Sequence, residues 1–176
     1  LTSFIAIAKG DVPVAHWFSL GRSLTPVENG AALVSWSGSM FEYLMPALVM
    51  HTPPGSLLEQ TCQLAIRRQI SYAEGKGVAW GISESAYNKR DLQLTYQYSN
   101  FGVPDLGLKR GLGSDLVIAP YASFLAAMFD STHAAENLTR LEQEGASGPY
   151  GFYEAIDYTP SRLPEGQTSS VVKAYM

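Results

Sequence analysis

Apolar positions recur at helical spacing in several stretches of the chain. Ser56 and Glu59 form a capping box, and Leu57, Leu58, Thr61, Ala65, Ile66 and Ile70 behind it repeat on one face. This predicts an amphipathic helix ending near Gly75-Lys76-Gly77. A second such helix is expected from Thr132 to Glu144, with Ala135, Leu138 and Leu141 inward and an acidic outer face. From Met40 to about His51 the pattern is apolar around the single acid Glu42. That predicts a buried helix, capped by Ser39 and bent at Pro46. Leu1 to Ala8, closed by Lys9-Gly10, reads as the tail of a buried helix. A further helix is expected from Ser114 or Asp115 to about Phe129, interrupted by Pro120, and a last one from near Ser169, with Val171, Val172 and Tyr175 opening its face. Between them lie segments rich in glycine and aromatics: 11–38, which holds Trp17 and Trp36, then 78–113 and 149–167. Loops of that length in a compact domain carry function. Sustained alternation of period two is scarce, so the pattern predicts an all-α array with its loops gathered at one end.

Composition narrows the chemistry. The 176 residues are 46% apolar and only 16% charged, which suits one globular domain and excludes a disordered chain. A net charge of −4 offers no footprint for nucleic acid or an anionic membrane. The lone Cys62 and the scattered His16, His51 and His133 have no metal-ligand spacing, so neither a metal nor another cofactor is expected. No apolar run is long enough to span a bilayer. Both ends read as cuts in a longer chain, since the first apolar stretch is already under way at Leu1 and the last is still building at Met176.

Three segments set a carboxylate among aromatic side chains: Trp36 to Tyr43 around Glu42, Trp80 to Tyr87 around Glu84, and Tyr150 to Tyr158 around Glu154 and Asp157. Aromatic faces stack on the C–H face of a pyranose. A carboxyl against an aromatic wall has its charged form disfavoured, as a general acid requires. A glycosidase needs two such groups, one to protonate the leaving oxygen and one to attack the anomeric carbon or activate a water. Each acid also has a structural reading. Glu42 suits a buried acid accepting bonds, Glu84 a helix cap, and Glu154 or Asp157 a loop clasp with Arg162. The glycine-rich stretch 106–113 lacks the order of a phosphate loop, and Trp36 to Met40 lacks that of a serine-hydrolase elbow.

The segments WSGSMFEYLMP (36–46), WGISESAY (80–87), YQYSNFGVPDLGLKRGLG (96–113), DLVIAPY (115–121) and YGFYEAIDYTPSRLP (150–164) resemble the central glycoamylase-like region of bacterial cyclic β-1,2-glucan synthases. The resemblance runs through the whole chain in one register. It implies an all-α, (α/α)6-barrel domain related to endo-β-1,2-glucanases, within a very large inner-membrane protein. There a UDP-glucose-using domain polymerises glucose, the central region cyclises linear β-1,2-glucan by transglycosylation, and a phosphorylase-like domain trims the chains. These domains and the glucan are the implied partners, and the cytoplasmic face of the membrane the implied location. Two departures stand out. Twelve barrel helices need more chain than 176 residues, and the family's histidine-rich continuation after AYM is missing, so residues 1–176 are expected to be part of a barrel truncated at both ends.

Carried over on the matching motifs, Glu84 and Glu154 are the implied catalytic pair, with Glu42 in reserve. The resemblance leaves open which is the nucleophile, and Asp157 and Tyr158, placed after Glu154 to keep it ionised and oriented, favour Glu154 as nucleophile and Glu84 as acid/base. Trp36, Trp80, Tyr87, Tyr96, Tyr98, Phe101 and Tyr153 are implied to line glucose subsites, with Tyr158 beside them and Arg110 or Lys109 bonding sugar hydroxyls. The expected reaction is retaining transglycosylation. An inverting endo-β-1,2-glucanase, a non-catalytic glucan-binding module and a helical interaction domain without a sugar site are the alternatives.

Overall fold

A computed structural model describes residues 1–175. It overturns the all-α expectation: 37% of the chain is helix and 19% is strand, in several small antiparallel sheets. The reason is the length of the strands. Several are two or three residues long, and the central one is buried on both faces, so period-two alternation never develops.

The chain opens with α1 (Thr2–Ala8) and α2 (Ala15–Ser19), neither of which has a buried residue, contrary to the buried helix expected at the start. Segment 11–38, read as irregular, holds a hairpin of β1 (Leu24–Val27) and β2 (Gly30–Leu33) closed by Glu28-Asn29, with Glu28 at positive φ. Next comes α3 (Met40–Leu44). Its cap is Ser39, whose Oγ accepts from Glu42 N at 3.2 Å. Around Pro46 the chain tightens into a 3-10 turn over Met45–Leu48, and Leu48 and Val49 emerge on the surface. The longest helix, α4 (Leu57–Glu74), is capped by Ser56 and buries Thr61, Cys62, Ala65, Ile66, Gln69 and Ala73. Thr61 Oγ1 accepts from Leu33 N, which seats the first hairpin on α4.

A second hairpin pairs β3 (Ser85–Arg90) with β4 (Tyr96–Ser99). The helix expected from residue 114 to 129 is instead β5 (Val117–Ile118) followed by α5 (Tyr121–Ala126), with Pro120 as the N-cap residue. After α6 (Ser131–Gln143) a tight hairpin joins β6 (Ser147–Gly148) to β7 (Gly151–Phe152). The final strands are β8 (Ala155–Asp157) and β9 (Ser170–Val172), the latter where a last helix was expected. A three-stranded sheet runs in the order β5-β8-β9, and Ile82 bridges to Ile118 on its far edge.

Glycines fix one junction of the fold. The turn Ser37-Gly38 lies directly against the backbone at Gly102 and Gly107. A Cβ on Gly102 would stand 1.7 Å from the Ser37 carbonyl oxygen, and one on Gly107 2.5 Å from the Ser37 carbonyl carbon. Backbone bonds run through this crossing, from Val103 N to Gly38 O at 3.2 Å and from Lys109 N to Trp36 O at 2.8 Å. The glycines of the 36–46 and 96–113 motifs therefore weld two segments far apart in sequence.

Candidate active site

Segment 80–84, which leads into β3 and carries Glu84, has no neighbouring strand along most of its length. Two buried amides take that place. Gln69 of α4 accepts from Ile82 N and donates to Ile82 O, both at 2.8 Å. Asn137 of α6 accepts from Trp80 N at 3.1 Å and donates to Trp80 O at 2.8 Å. Between them Gly81, at φ 116, bends the chain, and its carbonyl accepts from Ala119 N at 3.0 Å. Met40 N donates to Ile82 O and Phe41 N to Ser83 Oγ, so the first turn of α3 is also bonded to this segment. Every buried polar group here that is bonded lowers the freedom of Glu84.

Glu154 arrives from the other side, at the start of β8. Glu154 is only 6% exposed, and its Oε1 accepts from Ala86 N at 2.9 Å. Two residues further along β3, Asn88 N donates to Asp157 Oδ2 at 3.0 Å. One edge of β3 is thus bonded by carboxylates in place of a neighbouring strand, and this couples the segment after Glu84 to Glu154.

Tyr121 and Tyr98 lie within reach of the charges of both acids. The Tyr121 hydroxyl is within bonding distance of Ser83 Oγ at 2.7 Å and the Glu84 carbonyl oxygen at 2.9 Å. Burial, followed by the nearby charges of Glu84 and Glu154, pushes the phenol of Tyr98 above its ordinary range, and both acids act on Tyr121 in the same sense. The Glu84 carboxyl is itself pushed up, chiefly by burial and then by the charge of Glu42.

Glu154 lies where two cavities meet. One, of about 270 Å³, has Tyr121, Phe124, Phe152 and Tyr153 as its aromatic walls. The other, of about 320 Å³, is walled by Leu94, Tyr96 and Tyr98. A carboxylate with aromatic surface on both sides has the form of a site in which a sugar chain passes across a reacting acid.

Of the residues named from sequence, the structure brings Tyr96, Tyr98 and Tyr153 to the cavities at Glu154, whereas Glu84 lines neither cavity and is linked to them through Tyr98 and Tyr121. Others lie elsewhere. Glu42 Oε2 accepts from Ser37 N at 2.9 Å and Gly38 N at 3.2 Å, so this acid holds the welded turn while its charge reaches Glu84. Asp157 is wholly buried and saturated: it accepts from Arg162 Nε at 2.7 Å and Nη2 at 3.1 Å, and from Thr159 N. The Arg162 guanidinium lies under Tyr87, 4.8 Å from its ring centre, with Phe101 beyond. Trp80 is buried toward α6, and the Tyr158 hydroxyl donates to Glu144. Trp36 and Arg110 are exposed and line neither cavity, while Lys109 Nζ donates to Asn100. Tyr121, Phe124 and Phe152 are wall residues that the sequence reading did not single out. Pro120 was the available signal for Tyr121, because proline starts helices more readily than it continues them.

Among the described residues no three His, Cys, Asp or Glu side chains are grouped as metal ligands, and no helix is long and apolar enough to cross a membrane.

A fold in which small antiparallel sheets set Glu154 between aromatic-walled cavities agrees with the family assignment. The chain belongs to the Glycoamylase family, described as "Putative glucoamylase", which it matches over residues 1–176. It is similar to the cyclic β-(1,2)-glucan synthase NdvB of Rhizobium meliloti, with 58% identity over 99% of this chain and 6% of NdvB. The chain therefore spans a small fraction of that relative. Its fold is similar to that of an endo-β-1,2-glucanase from Chitinophaga pinensis, whose structure is a complex with sophorotriose and glucose. The TM-score is 0.56 at 12% identity, over 86% of this chain and 37% of that one.

Proposed function

We propose that this chain is part of a carbohydrate-active domain that rearranges linear β-1,2-glucan by retaining transglycosylation, closing the chain into a ring. The observation that carries the reading is the position of Glu154 at the junction of two aromatic-walled cavities, bonded to the strand that begins beside Glu84. The 58% identity to a cyclic β-(1,2)-glucan synthase supports the choice of substrate.

In this mechanism Glu84, whose carboxyl is pushed up by burial and then by the charge of Glu42, donates its proton to the glycosidic oxygen as the C1–O bond breaks. Glu154, steadied by the Ala86 N–H, attacks C1 and forms a glycosyl ester with inversion. Glu84, now a carboxylate, takes the proton from a hydroxyl at the other end of the same glucan. The resulting oxygen attacks C1, Glu154 leaves, and the configuration is restored. Closure into a ring requires an acceptor side that outcompetes water, and an aromatic wall on each side of Glu154 suits that demand. By the same reading the linear chain comes from a UDP-glucose-using domain of one larger polypeptide at the cytoplasmic face of the inner membrane, and a phosphorylase-like domain trims it.

The test is the anomeric configuration of the first product made from linear β-1,2-glucan by the full-length polypeptide, followed by NMR. A cyclic product with only β linkages and no transient α-anomeric reducing end is expected. An α-anomeric first product would overturn retention in favour of an inverting endo-glucanase. Undiminished turnover by Glu84→Gln and Glu154→Gln, together with loss of glucan binding when the aromatic walls are substituted, would reduce the domain to a glucan-binding module.

A further inference from the structure

Beyond the cavities at Glu154 the aromatic surface continues. Tyr153, a wall of the first cavity, lies 5.0 Å from the ring of Tyr175, whose other neighbour is Tyr150 at 5.6 Å and 79°. Tyr150 occupies the turn of the β6-β7 hairpin, after Pro149, and is 86% exposed. Tyr175 is 41% exposed.

This hairpin presents a large aromatic ring to water at a place where a small polar residue would turn the chain equally well. The turn is nonetheless built around these rings. A Cβ on Gly148 would stand 2.3 Å from the Tyr175 hydroxyl and 2.6 Å from the Tyr153 ring, so the tips of both tyrosines pack directly on the backbone before Pro149. Pro149 limits the backbone of the turn, and an edge-to-face contact leaves a face of the Tyr150 ring unpaired. The result is an ordered aromatic step one residue outside the cavity.

Such a step suits a pyranose. Its apolar C–H face stacks on the open ring while the equatorial hydroxyls stay in water, and no charge is needed. A ring held in advance by Tyr175 and the short hairpin loses little freedom on binding. We propose that Tyr150, backed by Tyr175, forms an outlying binding site for glucose units of a β-1,2-glucan chain whose reacting bond lies at Glu154. The site holds long chains in preference to short ones. This inference rests on the glucan reading of the Glu154 site and assigns the direction in which the chain leaves it, past Tyr153.

The experiment compares long linear β-1,2-glucan with a β-1,2-linked trisaccharide as substrates of the full-length polypeptide. Tyr150 is exposed, so Tyr150→Ala leaves the fold intact. The expected result is a KM for the long glucan raised about three- to tenfold with kcat preserved, while both constants for the trisaccharide stay unchanged. Tyr150→Trp restores the long-chain KM. Equal KM values for wild type and Tyr150→Ala on the long glucan overturn the site, as does an equal loss on both substrates, which marks a contact with another part of the polypeptide. Glu154→Gln is run in parallel. Loss of turnover there with an unaltered Tyr150→Ala enzyme removes the outlying site alone. Full turnover by Glu154→Gln removes the catalytic reading, and long-chain binding by Tyr150→Ala, measured at equilibrium, still decides the site.

Discussion

Gly102→Ala is the smallest change with a large expected effect on this fold, because it adds one methyl where two backbones cross. The new Cβ would lie 1.7 Å from Ser37 O, 2.6 Å from Ser37 C and 2.7 Å from Gly38 C, all of them backbone atoms that no rotamer change can move. Relief to even 3.0 Å requires the segments to part by about 1.3 Å, since 3.0 minus 1.7 is 1.3. That opening stretches the bonds from Val103 N to Gly38 O and from Lys109 N to Trp36 O, at 3.2 and 2.8 Å, past useful length. Two lost bonds in a largely buried junction, with the overpacking itself, amount to about 3 to 5 kcal/mol. The readout is hydrogen exchange of the peptide carrying Val103 to Lys109 in the full-length polypeptide. Protection there should fall at least about a hundredfold, the factor that roughly 3 kcal/mol gives. Gly21→Ala is the control, since nothing lies within 4 Å of its Cβ and its φ is ordinary. If Gly102→Ala exchanges within about threefold of the wild type, the crossing is not the rigid weld described and the reasoning fails.

Other consequences concern the acids and the buried thiol. Glu42→Gln keeps an acceptor for Ser37 N and Gly38 N and removes a negative charge that pushes the Glu84 carboxyl up. As Glu84 is the acid that must carry a proton, the alkaline limb of kcat/KM moves to lower pH, and an unmoved limb would contradict the assignment. Asp157→Asn takes the buried bidentate partner from the Arg162 guanidinium, which keeps its ion pair with Asp115, so the change costs about 1 to 3 kcal/mol and lowers the unfolding midpoint by roughly 5 °C. Glu154→Gln retains an oxygen for Ala86 N and should abolish turnover at a nearly unchanged midpoint, whereas matched losses of stability would make Glu154 a structural acid. Burial pushes the Cys62 thiol up to about 11, so iodoacetamide at pH 8 should leave it unmodified until the domain unfolds, and rapid labelling of the native protein would refute its placement.

The parts of the fold legible in sequence were those governed by local chemistry. Ser56 before α4, Ser39 before α3 and Gly75 after α4 act as caps, and α6 lies within a residue of its expected ends. Strands were not legible because their partners are supplied from afar. Asp157 on β8 pairs with Val117 on β5 and Ser170 on β9, and one edge of β3 is bonded by side-chain carboxylates. A similar limit applied to the acids. Composition marked four carboxylates among aromatics, but only geometry separates Asp157, saturated by Arg162, and Glu42, bonded to a turn, from Glu154, which lines two cavities. Trp36 and Trp80 shared the same aromatic signature, yet one is exposed and the other is buried against α6.

The most direct measurement is to look for the bond between sugar and Glu154. In Glu84→Gln no base remains to activate an acceptor, so a β-1,2-glucosyl fluoride, whose leaving group needs no acid, should load the enzyme and stall. Mass spectrometry of the digested full-length polypeptide should then find a glycosyl adduct on the peptide containing Glu154, absent from the Glu84→Gln, Glu154→Gln double variant. Turnover of the fluoride to an α-anomeric product with no adduct would contradict the covalent, retaining mechanism.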